Sequence, residues 1–232
     1  IDPPYNTGND GFLYKDRYQH SSWLSMQHNL INLSSNLIDT TGSFFCQSDD
    51  NEFSKLKEVC DQIFHPDNYI TSIVWEKVFA KKNKAIISIS HDYIPIYAKK
   101  LNQWDRSLLP RTEEQLKAFK NPDNDPRGLW QSVSFTVQSE DAIRRAGYRY
   151  SIVLPNGDEV LPPVGRHWNG DINRYNFLLG DNRLWFGKNG DAPPREKVFL
   201  TEVQEGIVPD TWWNNQQFGN NQEAKKEILS FF

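Results

Sequence analysis

The stretch GSFFCQSDDNEFSKLKEVCDQIFHPDNYITSIVWE, Gly42 to Glu76, decides the fold class. It opens on a short apolar run bounded by turn residues. It then places Phe53, Leu56, Val59, Cys60, Ile63 and Phe64 at helical spacing. The pattern stops at His65-Pro66, because a residue before proline is driven out of the helical region. The run YITSIVWE, Tyr69 to Glu76, is rich in β-branched and aromatic residues, as strands are. Strand, helix and strand in this order predict an open α/β sheet, whose ligand sites gather at the carboxyl ends of its strands.

Working outward, Trp23, Met26, Leu30, Leu33 and Leu37 predict an amphipathic helix, with Ser21 and Ser22 as N-cap candidates and a stop at Thr41-Gly42. DYIPIYA, Asp92 to Ala98, reads as a further strand, and Pro95 places it at an edge or a bulge. Composition changes after about residue 100. NPDNDPRG, Asn121 to Gly128, is a loop, and RYSIVLPNGDEVLPP is a hairpin turning at Asn156-Gly157. NRLWFGKNG and EKVFL add short strands typical of a small β-rich domain, and NNQEAKKEILSFF begins a helix.

The chain has 232 residues, 38% hydrophobic and 13% aromatic, enough for a sizeable core in one or two domains. No run approaches the ~20 apolar residues of a membrane span, and no basic-then-apolar leader opens the sequence. The expectation is therefore a cytoplasmic protein with no membrane partner. Cys46 and Cys60 lack metal or redox spacing and are expected to be buried thiols. A net charge of −4 excludes a protein that is basic all over, so nucleic-acid binding would need a local basic stripe.

The first residues, IDPPYNTGND, carry chemistry. Asp-Pro-Pro-Tyr by itself is a turn signature. It also suits recognition of an exocyclic base amine, whose lone pair is delocalised into the ring. Asp2 can accept one amine N–H, and the carbonyl of Pro3 a second. Pro3 and Pro4 each fix φ near about −65° and so restrict the loop where reacting atoms must be held about 3 Å apart. Tyr5 offers an aromatic face to replace the stacking that a base loses when it leaves the duplex.

The ordered series DPPYNTGND, FLYKDRY, WLSM, LIDTTG, FFCQSDDNE, NYITSIVWEK and HDYIPIYAKK resembles the modification subunits of type III restriction-modification systems and related β-group adenine-N6 DNA methyltransferases. The later segments PNGDEVLPPVGRHW, NRLWFGK, PREKVFL and TWWNNQQFGNNQEAKKE are similar to that family's target-recognition region and the passage out of it. The resemblance implies a partial Rossmann-like methyltransferase sheet over residues 1–100, an inserted β-rich target-recognition domain over 101–218, and a lead into further catalytic sequence over 219–232. It makes Asp2, Pro3, Pro4 and Tyr5 the catalytic motif, adenine N6 the acceptor and S-adenosylmethionine the donor, with no metal needed. Asp2 and Asp49 become cofactor-binding candidates. Implied partners are double-stranded DNA, a second copy of the parent protein and a restriction helicase-nuclease subunit. The family's F-x-G-x-G loop has no counterpart here, since no G-x-G occurs. The sequence is accordingly expected to be a fragment that alone binds cofactor weakly or not at all and is inactive by itself. N4-cytosine methylation is the nearest alternative reaction, and a non-catalytic DNA-recognition fragment the alternative of another class.

Other candidates have plainer readings beside functional ones. Asp49, Asp50 and Glu52 precede a helix, where acids complement the dipole and cap free amides. Lys81, Lys82 and Lys84 in FAKKNKA are candidates for phosphate contact or for a solvated loop. His91 lacks neighbouring ligands and reads as structural. Trp130, Trp168, Trp185, Trp212 and Trp213 crowd the second half among Arg127, Arg144, Arg145, Arg149, Arg166 and Arg183. Most of these tryptophans are expected in a core, with Arg127 and Arg166 as DNA-contact candidates.

Overall fold

In the computed structural model the described residues are all but 9, 10, 12, 81–83, 139–145 and 232. The chain is mixed α/β and divides into two compact units, Ile1–Ser107 with Val208–Phe232, and Leu108–Ile207.

The first unit contains α1 (His20–Leu37), β1 (Ser43–Phe45), α2 (Phe53–Phe64), β2 (Tyr69–Glu76) and β3 (His91–Ala98). The second runs through α3 (Glu113–Lys117), β4 (Trp130–Ser134), β5 (Thr136–Gln138), β6 (Ile152–Val153), β7 (Glu159–Val160), β8 (Arg166–Trp168), α4 (Ile172–Gly180), β9 (Leu184–Trp185) and β10 (Arg195–Phe199). The chain returns to the first unit with β11 (Trp212–Trp213), α5 (Asn215–Phe218) and α6 (Asn221–Leu229).

The first unit's sheet has the order β1-β3-β2-β11. β3 runs antiparallel to both β1 and β2, and β11 lies parallel to β2. Alternation along β3 serves two cores. Tyr97 joins Trp23, Ile31, Phe44, Leu56, Cys60 and Phe64 from α1, α2 and the β1 region, whereas Ile94 and Ile96 pack with Ile73 near Trp75 and Trp213. Phe64 stacks between Phe44 and Tyr97, at 5.0 and 5.6 Å between centroids. Both cysteines are buried, and desolvation pushes the Cys60 thiol up to about 12. The second unit's main core gathers Phe135, Ile152, Leu154, Trp168, Tyr175, Leu178, Leu184 and Phe186. Gly157, at φ 94°, turns the β6–β7 hairpin, as Asn-Gly requires.

Five sequence readings need correction. α1 starts at His20 after Gln19, which makes no side-chain cap, so neither Ser21 nor Ser22 is the N-cap. Its buried face is Trp23, Gln27, Ile31 and Ser35, while Leu30, Leu33 and Leu37 are exposed. The inward face is fixed by docking, as Lys99 after β3 donates to the Ser35 carbonyl at 2.6 Å. Pro95 lies on an interior strand, and the irregularity falls on β2 between Tyr69 and Thr71, beside its partner Ser72. The acids before α2 do not cap it: its N-cap Glu52 makes no side-chain cap bond, and Asp49 accepts from the Asn51 amide before the helix begins. Trp212 and Trp213 pair with Val74 and Trp75 in the first unit, outside the β-rich core.

Candidate active site

Residues 1–8 lie at the end of the first unit's sheet where β1 and β2 finish and β3 starts. Ile1 is held in extended form against the β1 segment, its amine on the Phe45 carbonyl and its own carbonyl accepting from Gln47. From there the Asp2-Pro3-Pro4-Tyr5 tetrad borders a cavity of about 580 Å³, lined also by Gln47, Asp49, Lys77 and Asp92. That volume is in the range of small-molecule sites.

Three supports hold the tetrad. The buried Trp23 of α1 donates its indole N–H to the Pro4 carbonyl at 2.7 Å. The Pro4 carbonyl is thereby engaged by the scaffold, while both prolines line the cavity beside Asp2. Asn6 reverses the chain in a left-handed conformation, φ 58°, which Asn tolerates better than most residues. Its side chain is held at both ends, donating to Glu52 at 2.6 Å and accepting from the Tyr18 amide at 2.7 Å. Finally, the buried Asp16 carboxylate accepts the Asn6 and Thr7 amides at 2.8 and 3.1 Å and the Thr7 hydroxyl.

Two buried carboxylates stand behind this loop. Glu52 faces His20 at 2.6 Å and Lys55 at 3.1 Å. Burial opposes its charge, but the Asn6 amide, Lys55 and His20 prevail and hold the carboxyl below its ordinary value. Asp92 accepts from Lys77 at 2.5 Å, Gln47 at 3.1 Å and the Tyr5 hydroxyl at 3.2 Å. Burial, then the neighbouring Asp92 and Asp2, push the Tyr5 phenol well above its ordinary range, so it stays a neutral donor. Burial likewise raises Asp49 above the usual carboxylate range, against the pull of the Asn51 amide.

The structure thus brings Asp2, Pro3, Pro4, Tyr5 and Asp49 to one cavity. Lys84 is exposed, and Lys81, Lys82, Arg144 and Arg145 lie outside the described residues. In the second unit Arg127 is engaged by Asp125 and Asp181 and lies over Phe199. Arg166 donates to the Thr136 hydroxyl and carbonyl, both at 2.9 Å. His91 packs edge-on against Tyr93, 4.9 Å between centroids. Asp16, Gln47, Lys77 and Asp92 were not singled out from sequence. Their signal was slight: an acid between Lys15 and Arg17, and polar residues at the ends of apolar strands. Among the described residues no group of three or more His, Cys, Asp or Glu is arranged to hold a metal, and no helix is long and apolar enough to cross a membrane.

Asp2 and Asp49 on the cavity wall would favour a positively charged group such as a sulfonium.

Comparison with known proteins places the chain among DNA methylases. The family model for N6/N4 methyltransferases, described as DNA methylase, matches residues 1–227. The chain is 33% identical to the Mod subunit of the type III restriction-modification enzyme StyLTI of Salmonella typhimurium, over 100% of the chain and 39% of that protein. It is 24% identical to the EcoP15I Mod subunit of Escherichia coli, over 89% of the chain and 42% of the relative. With the type II methyltransferase M.EcaI of Enterobacter cloacae the identity is 26%, over 91% and 46%. The chain spans less than half the length of these curated relatives.

Proposed function

The chain belongs to the DNA methylase family, and from that premise we propose that it forms the base-binding and target-recognition part of a DNA methyltransferase acting on adenine N6. The observation that carries this reading is the placement of the tetrad: Asp2, Pro3 and Tyr5 line one cavity, with Pro4 between them bonded by Trp23 and the following Asn6 bonded by Asp16. Asp2 accepts one N–H of the adenine amine and the Pro3 carbonyl a second, which favours the pyramidal nitrogen whose lone pair is available for attack. Tyr5 stacks on the extruded ring.

S-adenosylmethionine, when bound, supplies an electrophilic methyl group on a sulfonium. Asp2 and Asp49 are the residues that would hold it, their negative charge favouring the cation. The sheet β1-β3-β2-β11 is then part of a Rossmann-like methyltransferase sheet. The unit Leu108–Ile207 is the target-recognition domain inserted into it, reading double-stranded DNA in the cytoplasm. The Mod subunits among its relatives are named as parts of restriction-modification enzymes. That supports a restriction subunit as partner; the full-length protein is further proposed to act as a dimer.

The test is nucleoside analysis of unmethylated bacterial DNA incubated with S-adenosylmethionine and the full-length protein, beside its Asp2→Ala variant. N6-methyladenosine made only by the unsubstituted protein is expected. N4-methylcytosine alone overturns the adenine assignment, and no methylated base at all overturns the enzymatic reading.

A further inference from the structure

Asp92 is nearly fully buried, at 2% exposure, and a buried carboxylate is costly unless its charge is matched and its oxygens are bonded. Lys77 alone would meet the charge. The sheet register delivers it: Trp75 lies opposite Asp92, so Lys77, two residues further along, is the diagonal cross-strand neighbour. Yet the bonds at the second oxygen go elsewhere. Oδ2 accepts from Gln47, which follows β1, and from the hydroxyl of Tyr5, 87 residues away in sequence. Three separately placed segments thus converge on one carboxylate, and one of the three groups they deliver is the tip of the proposed stacking ring.

A phenol ring anchored only at Cβ swings about the Cα–Cβ bond, whereas one bonded at its hydroxyl as well keeps its tip in one place. We propose that Asp92 is a positioning residue for Tyr5. Held by Lys77 and Gln47, its carboxylate takes the Tyr5 hydroxyl bond and so fixes where the ring stands for an extruded purine to stack on it. This inference rests on the reading of Tyr5 given above. The elevated titration of Tyr5, which keeps its proton for donation, agrees with the geometry.

The ring itself is the first readout, and it is independent of turnover. The tyrosines, nine in all, are replaced by 3-fluorotyrosine, and the Tyr5 fluorine resonance is assigned by its loss in Tyr5→Phe. In Asp92→Ala, which leaves no acceptor for the hydroxyl, the Tyr5 resonance is expected to shift and sharpen as the ring gains freedom. A Tyr5 resonance that stays in place in a folded Asp92→Ala protein overturns the proposal.

The second readout is a double-mutant cycle on methyl transfer from S-adenosylmethionine to unmethylated bacterial DNA. Tyr5→Phe removes the same hydrogen bond from the other end without disturbing the ion pair, and so guards against a folding defect in Asp92→Ala. Each variant is expected to lower kcat about tenfold, the scale of a hydrogen bond to a charged group. KM for DNA stays within about twofold. The double variant is expected to be no slower than the slower single one. Losses that multiply independently overturn the proposal. Methyl transfer is followed in the full-length protein, whose inactivity when unsubstituted defeats the methyltransferase reading instead, and the fluorine spectrum still decides whether Asp92 holds the ring.

Discussion

Trp23 donates its indole N–H to the carbonyl of Pro4 at 2.7 Å, from a position in the first turn of α1 that is fully buried. One side chain therefore serves two purposes: its rings fill the core beneath the sheet, and its nitrogen fixes the tetrad loop. The two contributions separate by substitution. Trp23→Phe keeps an aromatic core residue but leaves the Pro4 carbonyl without this donor and a void where the larger ring was. The expected loss is about 2–4 kcal/mol of unfolding free energy. Urea denaturation with unchanged m-value checks it, and a loss under about 0.5 kcal/mol would remove Trp23 from its role as anchor.

Gln27 lies one turn further along the same face, and both its amide oxygen and nitrogen are buried without a hydrogen-bond partner among the described residues. Such a group costs its desolvation without return. Gln27→Met, close in volume and free of polar hydrogens, is expected to stabilise the protein by about 1–2 kcal/mol. Thermal unfolding of the variant is the measurement, and a lowered Tm would show that Gln27 has a partner in solution.

These residues also show where sequence reasoning stops. α2 was legible to the residue because an apolar stripe and a His65-Pro66 stop agree locally. The face of α1 was not, since two of its four buried positions are Gln27 and Ser35, whereas the leucines beside them point to solvent. Packing chose the face, and the composition of the stripe gave no hint of it. The tetrad was readable as chemistry because its residue types are contiguous. Its supports were not, because Asn6 meets Glu52 and Tyr5 meets Asp92 across 46 and 87 residues. An acid looks solvated in a sequence until the fold brings it donors.

Glu52 supplies a pH dependence with a definite sign. Its carboxyl is held below the ordinary value of 4.5 in the folded protein, by Asn6, Lys55 and His20 acting against burial. A depressed carboxylate contributes stability that is fully present above the unfolded value and is lost as pH falls through the folded one. The protein is therefore expected to lose stability progressively below pH 4.5. Glu52→Gln should flatten that acid limb while lowering stability at neutral pH. Parallel acid limbs for the two proteins, followed by tryptophan fluorescence, would assign the acid sensitivity to other carboxylates such as Asp125.

In the second unit Lys197 is buried at 1% exposure between Asp123 and Asp125, its ammonium 5.3 Å over the Trp130 ring. Asp125 is also bonded by Arg127, which with Lys197 keeps its carboxyl far below the usual range. Lys197→Met fills the space but strands negative charge beside an apolar core. The expected cost is about 3–5 kcal/mol, checked by denaturation of the variant at neutral pH. Asp123→Asn in the Lys197→Met background should recover part of the loss, because it removes one of the stranded charges.

Asp16 links stability and function most closely. Its carboxylate accepts the Asn6 and Thr7 amides and the Thr7 hydroxyl, and its carbonyl accepts the Gly8 amide at 2.9 Å. Every one of these partners donates, so the site demands acceptors only. Asp16→Asn turns an NH₂ toward backbone N–H groups and must break at least one bond, at a cost of about 1–3 kcal/mol. Since the affected residues form a loop, the cost is expected as local opening ahead of global unfolding. Hydrogen exchange at Asn6, Thr7 and Gly8 should accelerate about tenfold or more while the amides of β2 and β3 keep their protection, and methyl transfer should fall with it. Unchanged exchange at these three amides would mean that the left-handed turn at Asn6 is maintained by Glu52 and Tyr18 alone.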